Sequence, residues 1–600
     1  MIVGPNDNKD DFLVNEDSSL NKFRWRLFKS DEREVLTIVQ KFDLPDIIAK
    51  IICARKVPFE NISSYINPQI KTLLPSPFIL KDMDKAVKRI VDAIKKGETI
   101  GIFGDYDVDG ATATSIIYRF LRDIGVKNLH IHIPDRQSEG YGLNSVGLKE
   151  LRDKGATLVI AVDCGITGFD AVDMANQMDL DIVVADHHEA EAGIPDAVAV
   201  VDPKRVDDDS GLNYLAACGV VFLMDVALNK TLREDGYYLQ KGIQEPNLFS
   251  YLDLVALGTV CDVVPLVGAN RAFVSVGIKV MGKRENIGLK ALCDISGINN
   301  SPTVYHLGYI LGPRINAGGR VGNSSLSADL LTTNNPLVAD NLATRLNNFN
   351  IERKDIEASV LAEAFEKVAK DLKPDDNFIF VTGNNWHTGV IGIIAGRIKE
   401  RYNLPTLVAT IDSNGIANGS GRSIPEIDLG SAIIKAKETG ILSEGGGHSM
   451  AAGFTLTKEK IPEFKKFLHE YIENSTKSQK IIPVLNIDSV IDIVGINNEL
   501  VKKLSILEPF GTANEEPRFA VLNAKLTGAE AISGGHIRCY FSSDNGKSIS
   551  AICYKSVDTD MGETLLSCVG EYFKIAGKIR ANEWNGKRHI QLIIDDIAKD

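Results

Sequence analysis

Several features that would place the chain in other protein classes are missing from its sequence. No apolar run approaches the roughly 20 residues of a membrane-spanning helix, and the opening residues, MIVGPNDNKDDF, do not pair a basic region with an apolar one. The eight cysteines include no C-x-x-C pair, so we expect reduced, mostly buried thiols rather than disulfides or a zinc site. We therefore expect a cytoplasmic protein with no membrane partner.

Basic residues are not in excess either. The 600 residues include 67 Lys and Arg against 80 Asp and Glu, a formal net charge of −13. Such a chain repels nucleic acid overall, so a nucleic-acid partner would have to be held by local basic groups and by metal ions. The hydrophobic content of 44% is that of an ordinary globular protein, and the length predicts three or four domains.

Short apolar runs alternate with helical patterns after residue 98, which predicts a parallel sheet with helices on both faces. The predicted strands are Thr99–Phe103, Leu129–Ile133, Thr157–Val162, Asp181–Ala185 and Ala197–Val201. The first turn holds no G-x-G-x-x-G fingerprint. A dinucleotide-dependent oxidoreductase is therefore disfavoured.

Acidic and imidazole side chains recur where these strands end. They are Asp105, Asp107 and Asp109 after the first strand, Asp163 after the third, and Asp186, His187 and His188 after the fourth. The carboxyl ends of parallel strands meet at one edge of a sheet, where ligands bind. An acidic turn without a metal is the plain alternative for the first stretch taken alone. The recurrence favours a site that holds cations.

Two further stretches carry candidate site residues. Asp262 ends an apolar helix, where a capping acid is the ordinary interpretation, and in this context we favour a fourth acidic ligand. Gly312–Gly322 reads GPRINAGGRVG. We predict a glycine-rich turn there, in which Arg314 and Arg320 approach a phosphate closely.

The second half of the chain predicts a long helix, a second α/β unit and a barrel. The helix, Asn341–Leu372, has no internal breaker. In the α/β unit from Asn377, Arg422 and the three glycines before His448 can offer positive charge and backbone N–H groups to an anion. Five short β-like runs after residue 483 suggest a small closed barrel of the oligonucleotide-binding (OB) type.

The barrel also carries basic and aromatic residues that could hold a single strand of nucleic acid. These are Lys574, Lys578, Arg580, Lys587 and Arg588, with Tyr572, Phe573 and Trp584 among them. A purely structural barrel is the alternative. The domains we predict are residues 1–80 (accessory), 81–335 (first α/β domain), 336–376 (connecting helix), 377–475 (second α/β domain) and 483–600 (barrel).

Eight motifs in one order make the chain resemble a known family. They are GDYDVDG (104–110), VDCG (162–165), ADHHE (185–189), GTVCDVVPL (258–266), RINAGGR (314–320), GSGRS (419–423), GGGHSMAAG (445–453) and PFGTANEEPRF (509–519). Together they resemble the DHH phosphoesterase superfamily, in particular the RecJ-type exonucleases specific for single-stranded DNA. Each motif is weak alone, and the set is specific.

The resemblance implies a metal-dependent phosphodiesterase with two divalent cations, Mn²⁺ by preference and Mg²⁺ as the second candidate. The ligands it implies are Asp107, Asp109, Asp163, His187, His188 and Asp262. The catalytic groups beside them would be Asp105, Asp186, Arg422 and His448. Substrate contacts would come from Arg136, Arg314, Asn316, Arg320, Ser420 and Gly447, with Arg422 and His448 again, and Arg136 and Arg320 are candidates for the terminal phosphate.

The resemblance further implies 5′→3′ hydrolysis of single-stranded DNA to 5′-mononucleotides, in recombination and repair. Nothing in the spacing of residues gives that polarity. We expect a monomer that cooperates with a helicase and a single-strand-binding protein. Two alternatives stay open: a DHH phosphodiesterase acting on short oligonucleotides or cyclic dinucleotides, and a non-catalytic replication scaffold that binds single strands.

Overall fold

The structure is a computed structural model, which describes residues 12–136, 138–190, 193–373, 376–476, 482–584 and 587–599. The side chains of residues 582–588 are outside the described part, so the predicted roles of Trp584, Lys587 and Arg588 fall there too. The chain forms two compact units. The first comprises Ser64–Lys354 with Glu508–Glu515, and the second comprises Met1–Ser63, Asp355–Leu507 and Glu516–Asp600.

A five-stranded parallel sheet lies at the centre of the first unit, as the alternating pattern predicted. Its strands, in spatial order, are Leu129–His132, Thr99–Phe103, Ala156–Val162, Asp181–Ala185 and Ala199–Val201. Successive side chains of a strand point to opposite faces. Leu158, Ile160 and Val162 accordingly pack into one buried apolar cluster, and Val159 and Ala161 pack into another. Both faces are covered, which explains why the strands are almost wholly apolar.

Helices supply those covers. The α-helices of the first unit are Ile70–Leu73, Met83–Lys96, Val108–Asp123, Ser145–Asp153, Phe169–Gln177, Ala217–Glu234, Tyr237–Lys241, Leu252–Cys261, Gly268–Gly282, Ile287–Ile295, Gly312–Val321 and Leu326–Thr332. A π-helical turn, His306–Leu311, precedes Gly312–Val321. The helix Pro336–Asp371 then runs for 36 residues from the first unit into the second.

The predicted glycine-rich turn at residues 312–322 is wrong. Gly312–Val321 is an α-helix, and its glycines are buried. A Cβ on Gly319 would lie 3.0 Å from the Tyr106 side chain, and one on Gly318 would lie 3.1 Å from Leu346. The small residues thus permit close packing of the helix rather than a turn, so the spacing of the glycines gave a misleading signal.

The second unit holds a mixed five-stranded sheet and the predicted barrel. The sheet strands, in spatial order, are Glu444–His448, Ala451–Thr457, Ile416–Arg422, Thr406–Ile411 and Ile379–Asn384. The helices beside them are Thr388–Tyr402, Leu429–Glu438 and Ile461–Thr476. The sheet is antiparallel except for the pairing of Ile379–Asn384 with Thr406–Ile411.

The barrel follows in strands Ser489–Val490, Arg518–Ile532, His536–Ser542, Ser548–Cys553, Tyr572–Trp584 and Lys587–Ala598, with helices Asn498–Leu504 and Asp560–Ser567. Pairing of Arg518–Ile532 with Tyr572–Trp584 closes it. The N-terminal strands Phe12–Val14 and Arg24–Leu27 form a sheet with Val484–Ile487. Helices Glu32–Phe42, Asp46–Ala54 and Ile62–Ile66 follow them. The predicted fold class is confirmed.

Two smaller observations complete the fold. All eight cysteines are free thiols and six are buried, as predicted. Within the described ranges, we find no helix with both the length and the apolar character that crossing a membrane requires.

Candidate active site

The first acidic stretch turns directly into a helix. Asp107 is the N-cap of Val108–Asp123, and its carboxylate accepts a hydrogen bond from the Gly110 amide at 3.0 Å. Asp109 therefore lies in the first helical turn and not on an extended strand. This differs from the alternation considered for Asp105, Asp107 and Asp109, because capping by Asp107 starts the helix at Val108.

Asp109 is fixed by a second helix. Its carboxylate oxygens accept hydrogen bonds from the amides of Ala217 at 2.6 Å and Cys218 at 3.0 Å, at the start of Ala217–Glu234. Gly258 makes room for this arrangement, since a Cβ there would lie 2.8 Å from Asp109 Oδ1 and 2.4 Å from Thr112 Oγ1. Helix Leu252–Cys261 can thus lie close enough to bring Asp262 to the cluster.

Asp186 organises the two histidines that follow it. One of its oxygens, Oδ1, accepts hydrogen bonds from the amide of His187 at 2.8 Å and from Nδ1 of His188 at 2.7 Å. The other oxygen accepts a hydrogen bond from the Ile166 amide at 3.0 Å. Asp186 is fully buried. It therefore stands behind the histidines and orients them, as carboxylates that support histidine ligands commonly do.

His187 lies at the centre of a cluster of carboxylates. Its Nε2 is 3.3 Å from Asp163 Oδ1, 3.6 Å from Asp262 Oδ2 and 3.7 Å from Asp109 Oδ2. Burial lowers the pKa of His187 to about 3, so the ring is neutral and these contacts are not ion pairs. A neutral imidazole among carboxylates is the state in which histidine binds a metal.

The carboxylates of this cluster destabilise one another's charged forms. Burial, together with the charge of Asp107, raises the pKa of Asp109 to about 6. Burial and neighbouring aspartates also raise the pKa of Asp163 and of Asp262 well above the usual value. In the described part of the chain, Oδ1 of Asp105 and Oδ1 of Asp163 are buried without a hydrogen-bond partner. Buried carboxylates of this kind are neutralised either by a proton or by a cation.

The donor atoms fit divalent cations. Three groups have ligand atoms within 4.8 Å of one another: Asp163 with His187 and His188, Asp109 with His187 and Asp262, and Asp105 with Asp107 and Asp163. The groups share His187 and Asp163, and together they contain all six predicted ligands and Asp105. Mixed carboxylate and imidazole donors suit Mn²⁺, and carboxylates also suit Mg²⁺.

His188 has a second partner that the sequence analysis missed. Burial disfavours its charged form, but the hydrogen bond to Asp186 and the charges of Asp186, Asp262 and Asp107 together outweigh this and raise the pKa of His188 to about 9. The hydroxyl of Tyr141 lies 2.9 Å from Nε2 of His188. The Tyr141 ring meets the Tyr106 ring edge-on at 6.4 Å. Tyr106 lies inside the motif GDYDVDG, and that position was the available signal.

Backbone strain occurs at or next to two of the predicted ligands. Asp163 has φ 59° and Val263, directly after Asp262, has φ 61°. Residues other than glycine seldom adopt positive φ, and a β-branched residue such as valine rarely does. Strain of this kind persists where the surrounding structure fixes it, often at functional sites.

The predicted arginines of the first unit fall into two groups. The guanidinium of Arg136 lies over the Tyr106 ring at 5.6 Å, and both Arg136 and Arg320 act electrostatically on the Tyr106 hydroxyl. Arg314 instead donates hydrogen bonds to the Ile310 carbonyl at 2.7 Å and to Asn347 at 3.1 Å. Arg136 thus contacts Tyr106 and Arg320 acts on its hydroxyl through charge, while Arg314 braces its helix. Asn316 is half-buried in that helix.

Two of the predicted residues of the second unit, Arg422 and His448, share one row of its sheet. Arg422 is opposite Ala451 on one side, and His448 is opposite Ala451 on the other. Arg422 donates to the Ser420 hydroxyl at 3.1 Å, and a Cβ on Gly392 would lie 3.0 Å from both side chains. Gly447 has φ 147°, and a Cβ there would lie 2.4 Å from the Ala451 carbonyl. The two motifs thus place the Arg422 guanidinium and the His448 imidazole in one row of the sheet, next to Gly447 on the edge strand.

One predicted nucleic-acid contact in the barrel is wrong. Phe573 is buried because it points inward on Tyr572–Trp584, so it cannot stack on a base. Tyr572 is 48% exposed, and Lys525 lies over its ring at 5.8 Å. Arg580 is hydrogen-bonded to Glu516, with its closest contact at 2.6 Å.

Comparison with protein families identifies three domains. The DHH family N-terminal domain matches residues 99–259, the DHHA1 domain matches 375–474 and the RecJ OB domain matches 487–596. The single-stranded-DNA-specific exonuclease RecJ of Bacillus subtilis (strain 168) is 31% identical over 586 residues, covering 96% of this chain and 71% of that protein.

Solved structures agree. The crystal structure of RecJ in complex with Mn²⁺ from Thermus thermophilus has a TM-score of 0.78 and 25% identity, and the match covers 96% of this chain and 79% of that one. The complex with Mg²⁺ from the same organism has a TM-score of 0.72 and 24% identity, over 96% and 78% of the two chains, and shows the fold. The three domains and the fold thus have counterparts in one family.

Proposed function

The chain belongs to the RecJ family of single-stranded-DNA-specific exonucleases, and we propose that it hydrolyses single-stranded DNA stepwise from the 5′ end, releasing 5′-mononucleotides. Because it belongs to this family, the protein is an enzyme. The product and the polarity are part of the proposal, as is action in recombination and repair. A helicase and a single-strand-binding protein would supply and protect the substrate strand.

We propose that two divalent cations occupy the cluster around His187. Asp107, Asp109, Asp163, His187, His188 and Asp262 would hold them, and Asp186 would orient the histidines. When bound, such cations act as Lewis acids that activate water and neutralise charge on a phosphodiester. Mn²⁺ is the expected choice because of the imidazole donors, with Mg²⁺ as the alternative.

Other side chains of the chain would bind and orient the strand. Arg136, which lies over Tyr106, and Arg320 would hold the 5′-terminal phosphate through charge-assisted hydrogen bonds. Arg422, with Ser420, would contact the phosphate that is cleaved and stabilise its developing charge, and His448 can donate from the same sheet row. The barrel would bind the strand further along, with Tyr572 offering a stacking face.

The observation that carries the proposal is the convergence of buried, mutually repelling carboxylates on a neutral His187. A non-catalytic scaffold would not need to keep such a costly site. Incubating the protein with Mn²⁺ and either a 40-mer single strand or a dinucleotide tests the assignment. Faster turnover of the long strand supports it, and turnover of the dinucleotide alone would favour a phosphodiesterase for small substrates.

A further inference from the structure

The turn that carries Arg136 and Tyr141 is held in place by hydrogen bonds to a buried histidine and within the turn itself. It follows strand Leu129–His132, and its described residues are 133–136 and 138–144. Arg136 is exposed and lies over Tyr106, whereas the Tyr141 hydroxyl reaches His188. Short polar turns on a surface are mobile unless something fixes them. Placing Arg136 reproducibly over Tyr106 therefore requires a fixed point beside the turn.

That fixed point is the last residue of the strand. His132 is buried, and its two ring nitrogens both face carboxylates: Nε2 is 3.0 Å from Glu139 Oε2, and Nδ1 is 2.8 Å from Glu150 Oε2. Its ring also packs on Phe103, with the ring centres 5.0 Å apart. A Cβ on Gly147 would lie 2.4 Å from the His132 ring. Strand, helix and ring packing thus hold this imidazole still.

Glu139 connects this imidazole to the turn. While Oε2 faces His132, Oε1 accepts a hydrogen bond from the Asp135 amide at 3.0 Å. The Asp135 carbonyl in turn accepts from the Glu139 amide at 2.8 Å, and the Asp135 carboxylate accepts from the Ser138 amide at 3.0 Å. Asp135 and Glu139 therefore lock the ends of the short stretch that contains Arg136.

We infer that Glu139, held by His132, is a positioning residue that fixes Arg136 for recognition of a 5′-terminal phosphate. The inference rests on the proposed function, because it assumes that Arg136 binds that phosphate. Glu139 itself touches neither the metal cluster nor the substrate. Its role is to reduce the conformational freedom that the turn would lose when the phosphate binds.

Glu150 supplies a matched control. It contacts the same imidazole from helix Ser145–Asp153, outside the turn, and it also pairs with Lys154 at 2.5 Å. Its side chain is 45% exposed, against 15% for Glu139. Removing Glu150 takes one carboxylate from His132 but leaves the hydrogen bonds within the turn in place. General damage to the imidazole site would affect both variants equally.

The test compares initial rates on two single strands of the same sequence, one with a 5′-phosphate and one with a 5′-hydroxyl. We expect Arg136→Ala and Glu139→Ala each to lower the preference for the phosphorylated strand by about tenfold, the scale of one charge-assisted contact, mainly through KM. Glu150→Ala should stay within about twofold of the unaltered protein. Glu139→Gln should restore most of the preference, since an amide oxygen still accepts from Asp135 and an amide N–H can face the ring.

The double variant Arg136→Ala/Glu139→Ala separates positioning from general damage. If Glu139 acts through Arg136, the double variant has the same end preference as Arg136→Ala alone. An unchanged preference in Glu139→Ala, beside a lost preference in Arg136→Ala, would overturn the inference while the proposed role of Arg136 stands. An unchanged preference in Arg136→Ala would overturn that role and the inference with it. Thermal melting of every variant checks that each is folded.

Discussion

Nε2 of His187 lies 3.3 Å from Oδ1 of Asp163, and because the His187 ring is neutral these two atoms do not form an ion pair with each other. Asp163 is buried at the end of the strand Ala156–Val162, with its backbone at φ 59°. The neutral imidazole gives this buried carboxylate no ion pair, and the strained backbone adds an energetic cost. The arrangement becomes favourable when a cation occupies the space that these side chains enclose.

Replacing Asp163 with asparagine should therefore abolish cleavage, while affinity for single-stranded DNA falls only modestly. The change removes a predicted metal ligand and not a predicted contact to the strand. Melting should show that the metal-free variant is at least as stable as the unaltered protein, because a repelling buried charge has gone. Measurable turnover by the variant would show that the ligand set is wrong.

The pH dependence of metal binding follows from Asp109. With a folded-state pKa raised to about 6, against about 3.9 for an ordinary aspartate, the folded protein without metal holds a proton that the unfolded chain has released. Metal-free stability should therefore fall as the pH rises from about 4 through about 6. Because cations bind the carboxylate form, the rise in Tm on adding Mn²⁺ should grow over the same window.

The matched control for this pH experiment is Asp109→Asn. This variant cannot titrate at position 109, so both the metal-free pH dependence and the Mn²⁺-induced rise in Tm should become smaller. A metal-induced rise that is the same at pH 5 and pH 8 in the unaltered protein would contradict the assignment.

Arg422 should matter for chemistry and not for metal binding. Its proposed contact with the cleaved phosphate predicts that Arg422→Ala lowers kcat by about 10² to 10³, the range for losing one group that stabilises a transition state. The Mn²⁺-induced rise in Tm should be unchanged. Arg397→Ala provides the control, since Arg397 pairs on the surface with Glu357 and Glu400 in the same unit. Equal losses in both variants would argue against the role.

Part of the motif at 509–519 packs against the first unit and not within the barrel. Arg271, whose side chain is buried, donates hydrogen bonds to the Glu508 carbonyl at 3.0 Å and to the Pro509 carbonyl at 3.2 Å. The Leu266 amide, four residues after Asp262, donates to the Thr512 carbonyl at 2.8 Å. Residues 508–515 are therefore part of the first unit. Deleting residues 483–600 would remove this packing as well as the barrel.

We accordingly predict that Arg271→Lys lowers the free energy of unfolding by about 2 kcal/mol, because buried carbonyls lose their donors. Denaturant unfolding followed at equilibrium measures this directly. Lys290→Arg, at an exposed pair with Asp294, should change stability by well under 1 kcal/mol. No difference between the two variants would mean that the segment is not anchored through Arg271.

A point substitution tests the barrel more cleanly than deletion. Tyr572→Ala should weaken binding of a long single strand by about tenfold, the range for losing one stacking contact, with little effect on turnover of a strand too short to reach the barrel. Leu566→Ala, at a comparably exposed position on helix Asp560–Ser567, serves as the control. Unchanged affinity in Tyr572→Ala would favour a structural role for this face.

The clustering of Asp163 with His187 was predictable because one geometric rule governs it. In a parallel sheet, residues that directly follow different strands converge at one edge, so Asp163 and His187 could be placed together from the strand pattern. Asp262, which reaches the cluster from a helix end, was favoured only because of the acids after the strands and was also implied by the family resemblance. The glycine that admits this helix, Gly258, acts through packing that no local pattern reveals.

The errors in the prediction, like the role of Gly258, arise from packing between distant parts of the chain. Gly318 and Gly319 suggested a turn, but their small size serves helix packing. Phe573 looked like a surface aromatic until the strand register fixed its direction. Tyr141 gave little signal because its contact with His188 spans 47 residues. Each depends on contacts between distant parts of the chain, which residue spacing does not encode.

The most direct test of the account is a digestion with end-labelled DNA. A single strand labelled at the 5′ or the 3′ end is incubated with the protein and Mn²⁺, beside a blunt duplex and a chelator control. We predict immediate release of labelled mononucleotide from the 5′ label only, with the duplex spared and the chelator blocking the reaction. Tight binding of the single strand without any metal-dependent cleavage would contradict the account.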